Sequence, residues 1–306
     1  MSKKASKGSA KRSRSSSATR GASARLKIAL VGGTGFIGTP TARILEAAGH
    51  EVDAFGRARA EPRFKPDVVV HYMLLNEHRA RDAVAAFAGA RLVVLSSADV
   101  YRAYGELLGL EPATTHPPLL DEEAPLRTIH YPYGRGVDGP WGPIVDYDKI
   151  LVEEAVRAGD PRATILRLPK VYGAAARDRP FARWIDWMRT HDELPVGHAQ
   201  GRWRWTHGFV DDVAAAIALA ATDDRAAGRT FNLGEPNTPT QRQRVADLAA
   251  ALEWRGRVTD VDDDALPLSL RDPHPGTPDL ALDSTRIRTE LGFTEPTPYV
   301  ETLRSA

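Results

Sequence analysis

Between an apolar run at residues 26–31 and a run with helical spacing at 37–48 stands Val31-Gly32-Gly33-Thr34-Gly35-Phe36-Ile37-Gly38, and few folds admit that arrangement. Residues 26–31 read as a buried strand, and Ile37, Thr41, Ile44, Leu45 and Ala48 fall on one helical face that stops at Gly49. A turn this rich in glycine between strand and helix has three uses. One glycine permits the sharp turn, one lets the backbone approach a phosphate, and one allows helix and strand to pack closely. The first turn of the helix then offers unpaired N–H groups and the positive end of the helix dipole. Residues 32–38 are therefore expected to hold the pyrophosphate of a dinucleotide.

The rest of the chain keeps the same rhythm. Strands are expected at 51–55, 67–74, 91–95, 162–168 and, as the last one, 229–233; helices are expected at 76–88, 147–158 and 211–222. Apolar strands that alternate with helices indicate an α/β protein with a doubly wound parallel sheet of the Rossmann type. The stretch 101–142 is long, rich in Pro and Gly and weakly periodic, as functional connections often are.

Composition narrows the functional classes. The 306 residues contain no cysteine, which removes disulfides and thiolate metal sites and suits a reducing cytoplasm. The nine histidines show no metal-ligand spacing. No apolar run approaches the ~18 residues of a membrane span. Residues 1–25 hold eight Lys or Arg, no Asp or Glu and no Val, Ile, Leu, Phe, Tyr or Trp, so a disordered basic tail is expected there. Without it, 33 basic residues face 40 acidic ones, and a body near −7 argues against nucleic acid as a partner. The tail has no apolar stretch, so it does not read as a secretory signal.

The spacing Gly32-x-x-Gly35-x-x-Gly38 with Phe36-Ile37 closely resembles the extended short-chain dehydrogenase/reductase family, the NAD-dependent epimerase/dehydratase group. Leu95-Ser96-Ser97-Ala98-Asp99-Val100-Tyr101 resembles that family's serine strand, and Leu166-Arg167-Leu168-Pro169-Lys170-Val171-Tyr172-Gly173 its nicotinamide-side strand. Phe209-Val210-Asp211-Asp212, Phe231-Asn232-Leu233-Gly234 and Leu291-Gly292-Phe293 follow in the family's order. The resemblance implies a dinucleotide-binding domain at 26–172, to which 207–234 returns, and a substrate-binding lid from 173–206 and 235–306. It implies an oxidoreductase that moves a hydride to and from bound NAD(P), acting on a nucleotide sugar or related small molecule. It also admits a homodimer. A catalytically silent NADP-binding regulatory protein of the same fold is the alternative.

The resemblance further assigns Ser97 as the hydroxyl beside the reacting oxygen, Lys149 as the lysine of the proton relay, and Pro169 to the cofactor wall. The relay's tyrosine, one helical turn before the lysine, falls on Val145. Tyr147 lies about 200° from Lys149 on a regular helix and can serve only if the helix begins at Asp148. Tyr131 and Tyr133 are further donors. The position that carries an acidic residue in NAD enzymes falls on Gly56, followed by Arg57, with Arg59 near. A guanidinium suits a 2′-phosphate, so NADP is preferred and NAD is second. Only ten residues separate Gly56 from the next strand at Asp67, where the family has a further strand and helix; the missing strand is an edge one, and an open adenine side is expected. In Arg202-Trp203-Arg204-Trp205, a strand would turn both arginines to one side, which would make Arg202 and Arg204 substrate contacts. Lys170 stands where the family often has Asn. Glu122 and Glu123 read as solvated, and Trp184 and Trp187 as core.

Overall fold

A computed structural model describes residues 25–306, except 57, 58, 60, 137, 140, 141, 273, 275 and 276; at 138, 139 and 142–144 it describes the backbone only. The expected basic tail and Arg57 thus lie outside the described residues, apart from Arg25. Six parallel strands form the central sheet: β1 (Lys27–Val31), β2 (Glu51–Phe55), β3 (Val68–His71), β4 (Arg91–Ser97), β5 (Thr164–Leu168) and β6 (Thr230–Asn232). Their order is β6-β5-β4-β3-β1-β2. Register is continuous, with Ala29 opposite Asp53 on one side and Val69 on the other.

Strand side chains alternate between two cores, as a period of two requires. Ile28, Leu30, Val70, Val93 and Leu95 face helices α1 (Gly38–Ala47) and α4 (Val210–Thr222). Ala29, Val69, Leu92 and Val94 face α2 (Glu77–Ala86) and α3 (Lys149–Gly159). Both faces are covered, which is why these strands read as unbroken apolar runs. Edge strand β2 has one neighbour only, and the described residues between Phe55 and Val68 form neither strand nor helix. The sheet loses only an edge there, so it stays whole.

A second apolar cluster gathers Tyr172, Phe181, Trp184, Ile185, Leu194, Val196, Val245 and Leu248. Two short parallel pairs frame it, Lys170–Tyr172 with His207–Phe209 and Glu193–Gly197 with Arg257–Val261. The last of these strands lies beyond the one the sequence reading took to end the series. Trp184 is buried in this cluster, while Trp187 lies at its edge and stacks on His191 with ring centroids 3.9 Å apart.

The candidate active site

The glycines of the turn do different work. Gly32 has φ +87°, a conformation that favours glycine. A methyl at Gly38 would lie 2.5 Å from Gly33 Cα, so helix and turn meet backbone to backbone. At Gly35 the nearest atom to an added methyl would be the Gly32 carbonyl, 3.4 Å away, and the space beyond is the cleft. The amides of Gly32 and Gly33 are bonded to the Phe55 carbonyl, and that of Gly35 to Gly32 O. Those of Thr34, Phe36, Ile37 and Gly38 have no acceptor among the described residues. Helix α1 has no side-chain cap and no acidic residue in its first turn. Uncapped amides beside a wall that only glycine leaves open fit the linked phosphates of a dinucleotide.

This turn borders a cleft of about 460 Å3. Gly32, Gly35, Phe36, Ile37 and Gly38 line it with Ser97, Tyr147, Lys149 and Pro169, so most of the assigned residues converge. Gly33 and Thr34 lie behind it: a methyl at Gly33 would strike Leu30, and Thr34 packs against Gly56. Among the described residues, none between 39 and 71 lines the cleft.

Lys149 is the first residue of α3, capped by Asp148, whose carboxylate accepts the amides of Ile150 and Leu151. The buried ammonium donates to Leu74 O (2.7 Å) and Leu95 O (2.8 Å), which leaves one of its three protons for the cleft. Burial draws its pKa down to about 8, against the carboxylates of Asp99 and Glu153. Ser97 Oγ accepts from the Asp99 amide, so its own proton remains to donate.

Because α3 begins at Lys149, Tyr147 lies in the preceding turn and reaches the cleft wall. Its hydroxyl, however, donates to Asp99 Oδ2 at 2.6 Å. Burial first, then the charge of Asp99, pushes that phenol well above its ordinary pKa. Asp99 is itself 2% exposed, and burial raises its pKa. Tyr147 thus stands in the cleft wall with its hydroxyl bonded to Asp99, an arrangement that disfavours a phenolate there. Val145 is 44% exposed and its carbonyl accepts from Asn76. Tyr133 packs on Tyr147, ring centroids 5.4 Å apart, with its hydroxyl 3.1 Å from that of Tyr104. Tyr131 lies outside the cleft, under Arg135.

Other expectations are corrected. Arg59 is held by Asp53 at 2.5 Å, so it is not a free guanidinium for a phosphate. Arg202 ends the helix His198–Arg202 and is exposed, and Arg204 pairs with Asp279 (2.8 Å) and donates to Pro118 O. The supposed strand through 202–205 is broken, and neither arginine reaches a cleft near the turn. The carboxylate of Asp263 accepts the amides of Ala199 and Gln200 and fixes the helix there. Glu122 is buried, its carboxylate accepting the Asn232 amide at 2.7 Å, while Glu123 is exposed as expected.

Two supports escaped the sequence reading. Asp148, fully buried, gathers Tyr131 N, His130 and Arg127 besides capping α3. Glu153 takes a two-pronged bond from Arg167 (3.0 and 2.8 Å) and one from Ser96, and Arg167 extends to Tyr101. Burial opposes the charge of Arg167, yet Glu153 holds its pKa above the ordinary value. The Asp148 cap was foreshadowed by an acidic residue at the helix start; nothing local marked Glu153.

Comparison with known proteins fits this geometry. Residues 137–234 match the model of the NAD dependent epimerase/dehydratase family. A 2′-dehydrokanamycin reductase of Streptomyces kanamyceticus is 29% identical over 252 residues, which cover 68% of this chain and 61% of that protein. The chain therefore spans less than two thirds of that relative's length. A short-chain dehydrogenase/reductase superfamily protein from Agrobacterium tumefaciens, solved with bound NAD, superposes with TM-score 0.61 at 20% identity over 91% of this chain and 95% of that one. A dTDP-4-dehydrorhamnose reductase from Bacillus anthracis, in complex with NADP, gives TM-score 0.62 at 14% identity over 91% and 97%. At such identities these structures show the shared fold. No helix among the described residues is long and apolar enough to cross a membrane.

Proposed function

We propose that this chain, whose residues 137–234 match the NAD dependent epimerase/dehydratase family, is an NAD(P)-dependent oxidoreductase of that family acting on a nucleotide sugar. The observation that carries this reading is the row of amides at Thr34, Phe36, Ile37 and Gly38 without acceptors, opening into the cleft that holds Ser97 and Lys149. The dinucleotide would supply hydride exchange at its nicotinamide. The turn would hold the linked phosphates, the spare proton of Lys149 would be available to the nicotinamide ribose, and Pro169 would help to wall the ring. Ser97 donates to the oxygen that changes charge, next to the lysine that stabilises it.

Gly56 follows β2 in the place of a carboxylate, which favours NADP over NAD. At equal concentration NADP should raise the thermal midpoint more than NAD does; a larger shift with NAD would reverse the preference. Protonated Lys149 attracts the anionic dinucleotide, so binding raises its pKa. Affinity is then full below the free value of about 8 and falls as pH rises through it. Lys149→Met should bind more weakly and lose this slope, and a slope that survives assigns the titration to another group.

One feature favours the silent reading: the position of the relay tyrosine falls on Val145, which does not line the cleft, and the hydroxyl of Tyr147 is bonded to Asp99. Nicotinamide absorbance followed during incubation with UDP- and dTDP-sugars separates the two. A change in absorbance supports the enzyme; tight dinucleotide binding with no turnover of any sugar supports a regulatory protein.

A further inference from the structure

Beside the cofactor cleft, sharing Lys170 and Asp178 with it, lies a second pocket of about 260 Å3. Phe181, Trp205 and His207 form part of its wall. His207 is the register partner of Lys170, so the two side chains leave the same face of their strand pair. The imidazole is 9% exposed and held between Phe181 and Trp205, at centroid distances of 4.8 and 6.0 Å. Its Nδ1 lies 2.7 Å from the Trp205 carbonyl oxygen. A carbonyl can only accept, so Nδ1 carries the proton and Nε2 presents a bare lone pair. Among the described residues nothing donates to that lone pair. Burial, and after it Arg244, holds the ring's pKa well below its ordinary value, so the ring stays neutral near pH 7.

We propose that His207 is the specificity residue of this second pocket, its Nε2 accepting a hydrogen bond from a hydroxyl of the substrate's sugar ring while Trp205 and Phe181 meet the ring's apolar face. The assignment rests on the nucleotide-sugar reading above. It implies selection for a hydroxyl, since a carbonyl or a deoxy carbon at that position offers no proton to Nε2.

The test is calorimetric titration of the full-length chain, loaded with NADP, against UDP-glucose and dTDP-glucose. His207→Phe should weaken binding of the nucleotide sugar about tenfold or more, as loss of a buried hydrogen bond does. His207→Gln, which keeps a side-chain acceptor, should stay within about threefold of wild type. Affinity for NADP should be unchanged in both. Equal sugar affinity in His207→Phe overturns the proposal. Should that variant misfold, the wild type decides: the nitrogen resonance of unprotonated Nε2 must move when UDP-glucose is added, and an unmoved resonance overturns it too. A wild type that binds NADP but neither nucleotide sugar overturns the substrate reading itself, an outcome distinct from failure of the His207 assignment alone.

Discussion

Gly35→Val should weaken dinucleotide binding roughly tenfold to hundredfold while leaving the fold intact. A Cβ added there lies 3.4 Å from the Gly32 carbonyl oxygen, and the side chain starts from a residue that lines the cleft where the phosphates would lie. Forcing carbon atoms into an occupied contact costs about 1–3 kcal/mol. At 1.4 kcal/mol per decade that is roughly a tenfold to hundredfold loss of affinity. Because the added Cβ makes only an ordinary contact in the free protein, the thermal midpoint without ligand should stay near the wild-type value. Gly38→Ala makes the contrast. Its methyl would fall 2.5 Å from Gly33 Cα and 2.6 Å from Gly33 O, so backbone must move and stability must drop along with binding. Titration of both variants with NADP and NAD, next to thermal unfolding without ligand, reads the two effects apart. Unaltered affinity in Gly35→Val would remove the turn from the binding site and with it the oxidoreductase reading.

What the sequence made legible was local. Helices and strands announce themselves by periods of 3.6 and 2, and the glycines at 32, 33 and 38 by contacts that no side chain fits. The alternation of elements announced a doubly wound parallel sheet, and the short passage from Gly56 to Asp67 pointed to a missing strand at its edge, beside β2. The misread residues are those whose partners lie far along the chain. Asp99 draws the hydroxyl of Tyr147 across 48 positions, and Glu122 meets Asn232 across 110. Neither partner has a local signature, so a buried glutamate in Asp121-Glu122-Glu123 looks like any solvated acidic run. Arg202-Trp203-Arg204-Trp205 alternates as a strand would, yet the carboxylate of Asp263 satisfies two amides upstream and favours a helical turn. His207 belongs to the same class, because its tautomer is set by a carbonyl whose position only the fold determines.

The largest loss of stability should come from a residue outside the cleft, Glu153. Its carboxylate and the Arg167 guanidinium are 9% and 6% exposed at the side chain and joined by two bonds of 2.8 and 3.0 Å. Arg167 in turn donates to the Tyr101 hydroxyl and to Glu122 O, and Tyr101 donates to Asn232 Oδ1 at 2.6 Å. This network ties the helix that carries Lys149 to β5, to β6 and to the turn after Ser97. Glu153→Ala leaves a buried guanidinium without its counter-ion, and breaking one side of such a pair costs about 3–5 kcal/mol. That is a large share of the roughly 5–15 kcal/mol by which domains are stable. Replacing both partners by apolar residues, Glu153→Leu with Arg167→Met, removes the charges together and should cost less than Glu153→Ala alone. Urea unfolding of the two variants measures the difference. If the double variant is the less stable of the two, the guanidinium is not the source of the penalty, and the hydrogen bonds to Ser96 and Tyr101 hold the strands together in its place.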